Sequence, residues 1–148
     1  MDTSVPQAFP IDIPFLHDLG VEFLGMQDGQ AQVALNLEPR HMNSWHVTHG
    51  GIIMTLLDVA MAMAGRSLEP EAQGGVTIEM KTSFMQPGGQ AGDRVIAKGR
   101  AFHRSTTMCF CEGDLWVGDK LAAKSMGTFK YLRRASAGAR LDKTYISD

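Results

Sequence analysis

The chain has 148 residues, the length of one domain with a single hydrophobic core. Its formal net charge is −2, with acidic and basic residues interspersed, which excludes the extended basic surface typical of nucleic-acid binding. The N-terminus lacks the features of a secretory signal, and no apolar run is long enough to cross a bilayer. We therefore expect a cytoplasmic protein that binds a small molecule, with no nucleic-acid partner and no membrane partner.

The N-terminal part predicts a lead-in followed by a hairpin. Residues 1–20 contain three prolines, which favour extended backbone, and end in a predicted helical turn closed by Gly20. Two short apolar runs, 21–26 and 30–37, flank Asp28-Gly29. An Asp-Gly pair between such runs is a strong hairpin signal. We expect the lead-in to cap a fold whose sheet begins with this hairpin.

The next stretch joins a polar, glycine-containing segment to a long apolar helix. The helix is predicted from about Gly50 to Arg66, and Asp58 is the only charged residue between His49 and Arg66. The positions around Asp58 are apolar on nearly every side, as expected for a helix that the rest of the domain buries.

The rest of the chain predicts strands. Four apolar runs follow, 76–85, 94–102, 107–117 and 120–132, separated by glycine-rich or polar turns that include residues 103–106. We interpret them as a meander of four mostly antiparallel strands, which must curve to wrap the single helix. Cys109 and Cys111 share one face of a strand without Cys-x-x-Cys spacing, and are interpreted as structural thiols. Residues 133–148 predict a mobile tail.

Two features of the central helix suggest a site. Gly50 and Gly51 stand at its start, where the first-turn N–H groups lack intrahelical partners and a ligand can approach the backbone closely. The pair either binds an oxyanion or forms a tight turn packed against a neighbour. Asp58 is likewise either a functional carboxylate or a buried acid held by a hydrogen bond or an arginine.

The spacing of these features predicts an assembly. Gly50 and Asp58 are eight residues apart, which places their backbones roughly 12 Å from each other along a helix. General-base and oxyanion contacts each need about 3 Å to the reacting group. One helix therefore does not supply both to one substrate. Two antiparallel helices in a two-fold dimer would supply both contacts to one substrate, and the dimer would have two such sites at its interface.

The chain resembles the hotdog-fold acyl-CoA thioesterases of the phenylacetate-degradation type, in the 4-hydroxybenzoyl-CoA thioesterase superfamily. The resemblance covers residues from about 15 to 131 and rests on Asn43, His49-Gly50-Gly51, Asp58 and the run Gly-Val-Thr-Ile-Glu-Met at 75–80. It implies an α+β fold in which a curved antiparallel sheet surrounds one long central helix. The hotdog thioesterase domain is then residues 21–132.

The resemblance also implies roles for five residues in hydrolysis of an acyl-CoA thioester. Asp58 would be the general base or the nucleophile, and the Gly50 N–H would polarise the thioester carbonyl. Asn43, from the chain of that glycine, would hold substrate or water, and Thr77, from the chain of Asp58, would orient the water. His49 would fix the turn or contact the thioester.

The implied assembly is a homodimer with shared active sites, or a tetramer of two such dimers, and no cofactor or metal is implied. Because a thiolate leaves without strong protonation, a thioester suits a site that lacks a dedicated acid. The ten methionines, including Met54, Met61, Met63, Met80 and Met85, are of a type that more often fills a core than lines a substrate site, but any that face the pocket would permit a broad acyl range, aromatic or medium-chain.

The CoA end of the substrate is the least defined part of the sequence-based site. Candidates are Gly51 beside the thioester, Arg104, Ser105 and Thr106 in the predicted loop between strands, and Lys81, with Lys130 a weaker candidate. A solvated turn explains the same residues equally well.

Three other functions fit the pattern less well. His41, His46 and His49 could be metal ligands, but their spacing matches no strong zinc pattern. Hotdog hydratases and dehydratases use a histidine with a carboxylate, whereas Asn43 and the glycine pair favour hydrolysis. A non-catalytic acyl-CoA-binding protein would lack Asp58 or carry a DNA-binding segment, and neither departure is present.

Overall fold

A computed structural model describes residues 1–133 of the chain. The elements in chain order are α1 (Pro14–Leu19), β1 (Glu22–Gln27), β2 (Gln30–Asn36), a 3₁₀ turn (Pro39–His41), α2 (Gly50–Ser67), β3 (Gly74–Phe84), β4 (Arg94–Arg104), β5 (Met108–Val117) and β6 (Lys120–Leu132). The strands form one antiparallel sheet that surrounds α2, which confirms the predicted α+β hotdog fold. The predicted mobile tail, apart from Arg133, lies outside the described residues.

The order of strands corrects the predicted meander. The sheet runs β1-β2-β4-β5-β6-β3, so only β4, β5 and β6 form a meander. The connection between β3 and β4 crosses the sheet, and β3 pairs with β6 at the far edge. Chain order alone did not predict this, because adjacent strands pair in most but not all folds.

The local turn signals hold in the structure. Gly20 closes α1 with a φ of 84°, and Asp28 and Gly29 take φ values of 51° and 80° in the hairpin between β1 and β2. The Gly29 N–H donates to Ser67 Oγ at 2.7 Å, which ties this hairpin to the end of α2. The strand boundaries differ from the prediction by at most two residues, and the largest differences are the start of β3 at Gly74 and the end of β4 at Arg104.

One face of α2 packs against the sheet at close range. Gly99 on β4 lies against the Ala60 carbonyl, where an added side chain would collide with helix backbone. Gly65 lies against the Cys109 side chain on β5 in the same way. Both cysteines are free and buried on that face, as predicted for structural thiols. Small residues at these contacts let the helix approach the sheet closely, and this contact builds the core.

The opposite face of α2 is less covered than the sequence predicted. Thr55, Asp58, Ala62 and Arg66 are only partly buried, and they follow one another at helical spacing. The helix is therefore not enclosed on every side, because the six strands cover only part of its surface. Within residues 1–133, no helix is long and apolar enough to cross a membrane.

The edge strand β3 borders this uncovered face and is unusually exposed. Val76 and Ile78 keep 42% and 53% of their surface, and Phe84 at the end of the strand keeps 52%. Large apolar side chains on an unpaired sheet edge are characteristic of a surface that another chain covers.

Candidate active site

A cavity of about 390 Å³ lies between the N-terminal segment, α2 and β3. Its wall is mostly apolar, with Ile11, Ile13, Val59, Met63 and Met80 among the lining side chains. Two of the predicted catalytic residues, Asp58 and Thr77, also line it, and so does Met54, which together with Met63 and Met80 makes three of the five methionines named from the sequence. The remaining charged group in the lining is Arg66. The cavity thus offers an apolar space with one carboxylate and one guanidinium.

Asp58 and Thr77 are brought together by the packing of α2 against β3. Thr77 Oγ donates a hydrogen bond to Asp58 Oδ1 at 2.6 Å. An irregularity in the β3 to β6 pairing between Thr77 and Glu79 directs both Thr77 and Met80 toward the cavity. Burial raises the pKa of the Asp58 carboxyl above its ordinary value, and the bond from Thr77 lowers it in part. Such a carboxylate suits a general base, because its second oxygen is available to accept a proton.

The start of α2 is organised by His49, which is its N-cap. His49 Nδ1 accepts a hydrogen bond from the Gly51 N–H at 2.8 Å, which caps the first turn of the helix. The Gly51 N–H is thereby occupied. The Gly50 N–H takes part in no hydrogen bond found among residues 1–133, and the Gly50 α-carbon lies beside the Phe84 ring. One first-turn amide is thus available for an oxyanion.

Asn43 lies in the loop before the helix. Its side-chain oxygen accepts hydrogen bonds from the N–H groups of Trp45 at 2.9 Å and Val47 at 3.3 Å. His46 in this loop takes a positive φ of 59°. These contacts commit the Asn43 oxygen to the loop and leave its amide N–H₂ as the group that a ligand can meet.

Two buried residues anchor the same loop. His41 Nδ1 accepts from the Glu38 N–H at 3.0 Å and its Nε2 donates to the Leu19 carbonyl at 2.9 Å. Thr48 Oγ donates to the Gly88 carbonyl at 2.7 Å. His41 therefore serves the fold with both ring nitrogens. Among residues 1–133, no group of three or more histidine, cysteine or acidic side chains is placed to hold a metal.

One chain does not bring all five predicted catalytic residues together. Asp58 and Thr77 line the cavity, whereas Asn43, His49 and Gly50 lie outside it at the start of the helix. Within one chain, the five predicted residues therefore form two separate groups at different heights along α2.

The residues predicted for the CoA end have other contacts in the chain. Arg104 donates to the Leu68 carbonyl and, at 2.9 Å, to Glu69, so it stabilises the end of α2. Ser105 Oγ accepts from the Met108 N–H at 3.1 Å within its turn, and the Thr106 carbonyl accepts from Arg133 at 3.0 Å. Lys81 is exposed on the outer face of the sheet, and so is its register partner Met126.

Sequence reasoning did not identify Arg66, Ile11 or Ile13 as cavity residues. Arg66 was treated only as the end of the helix, although its spacing of eight from Asp58 places both near one face. The alternation of Ile11 and Ile13 around Asp12 is typical of a segment with one buried side. The sequence does not indicate that this segment packs over α2.

A curved antiparallel sheet around one helix, with a half-buried carboxylate in an apolar cavity, defines a hotdog-fold enzyme. The chain belongs to the thioesterase superfamily, whose sequence profile matches residues 46–124. It is a hydrolase of thioesters. The protein PA0474 of Pseudomonas aeruginosa is 31% identical over 131 residues, with 85% of this chain and 96% of that protein covered. A medium/long-chain acyl-CoA thioesterase of Salmonella typhimurium, YigI, is 26% identical, with 79% of this chain and 84% of that protein covered.

Solved structures show the same fold. The conserved protein PA5202 of Pseudomonas aeruginosa superposes with a TM-score of 0.76 at 30% identity, covering 82% of this chain and 95% of that one. A mutant of the phenylacetic acid degradation protein PaaI of Thermus thermophilus superposes with a TM-score of 0.73 at 28% identity, covering 81% of this chain and all of that one. Both agree with the resemblance found from the residues.

Proposed function

We propose that the protein hydrolyses acyl-CoA thioesters with an aromatic or medium-chain acyl group, at sites shared between two copies of the chain. One observation carries the proposal, namely the Asp58 carboxylate held by Thr77 in the wall of an apolar cavity. The name of the Salmonella relative, a medium/long-chain acyl-CoA thioesterase, supports an acyl-CoA substrate, and the name of the PaaI structure, a phenylacetic acid degradation protein, supports an aromatic acyl group.

In the proposed reaction, Asp58 acts on the thioester carbonyl carbon either directly or through a water molecule. Its raised pKa brings its basicity closer to neutral pH, where a general base is most effective. Thr77 Oγ donates its hydrogen bond to one carboxylate oxygen of Asp58. The lone pairs of the Thr77 hydroxyl remain free to accept a hydrogen bond from the water. The thiolate of CoA then leaves without a dedicated acid.

The second copy supplies the oxyanion contact. Gly50 of one chain faces Asp58 of the other, and its N–H, at the positive end of α2, stabilises the negative charge on the carbonyl oxygen. His49 fixes this turn through its bond to Gly51, and Asn43 presents its amide to substrate or water. The exposed apolar edge of β3, next to Thr77, supports pairing of the two chains at this edge. Two such dimers form the proposed tetramer.

The hydratase alternative gains less support from the geometry. His49, which would come with Gly50 from the second chain, uses its Nδ1 to cap the helix, so that nitrogen is not available to act on an acyl thioester. At the CoA end, Arg104, Ser105, Thr106, Lys81 and Gly51 stay predictions, tested by the KM for acyl-CoA after substitution of each.

Subunit mixing tests the shared site. Asp58→Asn chains and Gly50→Pro chains are each inactive by the proposal, but a mixed dimer has one intact site of two. Random exchange makes half of the dimers mixed, so about one quarter of the wild-type activity should return. Mass spectrometry must first show that the subunits have exchanged. If the mixture is still inactive, the two residues either act in a site formed by one chain or do not act in a common site.

A further inference from the structure

Arg66 is a half-buried cation for which residues 1–133 supply no ion pair. It stands in the last turn of α2 and lines the same cavity as Asp58. Its Nη1 is shielded from solvent and makes no hydrogen bond within residues 1–133. A guanidinium stays charged in proteins, and leaving the N–H groups of one nitrogen shielded and unbonded is costly.

Two other buried or shielded charged groups of the described chain, Glu69 and Glu22, are ion-paired. Glu69 accepts from Arg104 and Arg133 at 2.9 Å each. Glu22 Oε2, also shielded and outside hydrogen-bond geometry, still lies 2.7 Å from the Arg94 guanidinium. A cation near the end of a helix gains from the helix dipole, but that gain requires neither burial nor an apolar cavity. Long basic side chains ordinarily extend their heads into water, which Arg66 Nη1 does not do.

The position of Arg66 defines the far end of the cavity. Asp58, Ala62 and Arg66 follow at intervals of four residues, so about 12 Å of helix separates the carboxylate from the guanidinium residue. Ala62 between them has only a methyl group and leaves the space open. Gly74 and Gly75 also line the cavity, and a β-carbon added at Gly74 would meet no atom of residues 1–133 within 4 Å.

We propose that Arg66 binds a carboxylate at the distal end of the acyl group, so that the preferred substrate is the CoA thioester of a medium-length dicarboxylic acid. This inference rests on the proposed function, because it assumes that the thioester lies at Asp58. The apolar side chains between the two charges suit the methylene segment, and the guanidinium fork matches a carboxylate with two hydrogen bonds. A phenolic hydroxyl would supply acceptor atoms but would not neutralise the charge.

The experiment compares thioesters of equal carbon number, hexanoyl-CoA with adipoyl-CoA and octanoyl-CoA with suberoyl-CoA, by release of CoA thiol. The wild type is expected to prefer the carboxylated member of a pair by about tenfold or more in kcat/KM. Arg66→Met keeps the length of the stem and removes the charge. It should lower kcat/KM for the carboxylated thioester by about 10-fold to 100-fold and change that for the plain thioester less than threefold.

Arg66→Lys is the matched control, because it keeps the charge without the fork and should retain part of the preference. A wild type that cleaves both members equally, or an Arg66→Met variant that loses both equally, would overturn the inference while the thioesterase proposal stands. A preference for 4-hydroxyphenylacetyl-CoA over suberoyl-CoA would also overturn it.

If no thioester is cleaved, the proposed function fails, and calorimetric titration of free suberate still tests Arg66. Binding of suberate that Arg66→Met abolishes, with octanoate bound weakly by both proteins, would support the carboxylate site. Equal affinity of the two proteins for suberate would reject it.

Discussion

The two faces of α2 contrast in how tightly they are packed. On the sheet side, Gly99 and Gly65 stand where no larger residue fits, and the helix lies against the strands at close range. On the cavity side, Asp58 and Arg66 are half-buried beside open space. The contrast shows that one helix both builds the core and carries the chemistry. Charged groups are tolerated on the second face because packing there is incomplete.

The largest expected effect is on the cavity face. Asp58→Asn keeps the shape and the acceptor for Thr77 but removes the base, so kcat/KM should fall at least about 100-fold. Thr55→Val is the matched control, since Thr55 lines the same cavity and its hydroxyl bonds only the Gly51 carbonyl. Thiol release from an acyl-CoA is the measurement. Unchanged turnover in the Asp58 variant would remove it from the mechanism.

The start of the helix tests the oxyanion contact. Gly50 occupies the first helical position after His49, whose φ of −60° and ψ of 136° are compatible with a following proline. Gly50→Pro should therefore keep the helix but delete the N–H, lowering kcat about 100-fold. Gly50→Ala retains the N–H, and its methyl group would meet only Phe84, at 3.7 Å. Equal losses in both variants would point to crowding instead.

A substitution where α2 packs against the sheet should lower the free energy of unfolding. Gly99→Ala places a methyl group against the Ala60 backbone, which cannot yield as a flexible side chain would. We expect a loss of about 3 kcal/mol in the free energy of unfolding. Gly74→Ala, where the added carbon meets open space, should change it by less than about 0.5 kcal/mol. Urea unfolding measures both, and similar values for the two variants would contradict the close contact.

Thr77 joins the cavity to the edge strand, and its loss should change the pH dependence. Without its hydrogen bond the pKa of Asp58 rises further, so the acid limb of the kcat/KM profile should move to higher pH. Turnover at neutral pH should fall about tenfold for Thr77→Val. Thr82→Val is the control, because the Thr82 hydroxyl bonds Ser125. An unmoved acid limb would separate Thr77 from the titration of Asp58.

The smallest effect concerns stability against pH. The pKa of Asp58 in the folded chain lies above its ordinary value of 3.8, because burial disfavours the charged form. The folded state then holds the proton longer than the unfolded state, so ionisation of Asp58 lowers stability as pH rises through that window. As pH rises above 3.8, the Asp58→Asn variant should become more stable than the wild type. Below pH 3.8 it should show no gain in stability. A difference that is constant with pH would contradict the raised pKa.

Local signals in the sequence determined most of the elements. Asp28-Gly29 and Gly20 set their turns because the backbone there takes positive φ, and α2 was readable from its apolar period and the glycines at its start. The isolated Asp58 in that helix was the sequence signal for the carboxylate that the fold places in the cavity wall, since a carboxylate in apolar surroundings requires a reason.

Only the tertiary structure decided which elements meet. The pairing of β3 with β6, the contact of Thr77 with Asp58 and the cover of Ile11 and Ile13 over the cavity all join residues distant in the chain. Local propensity carries no information on such pairings, because they depend on how the whole sheet curves around the helix. For the same reason Arg66 looked like a helix end in the sequence, whereas in the fold its guanidinium lies in the cavity wall.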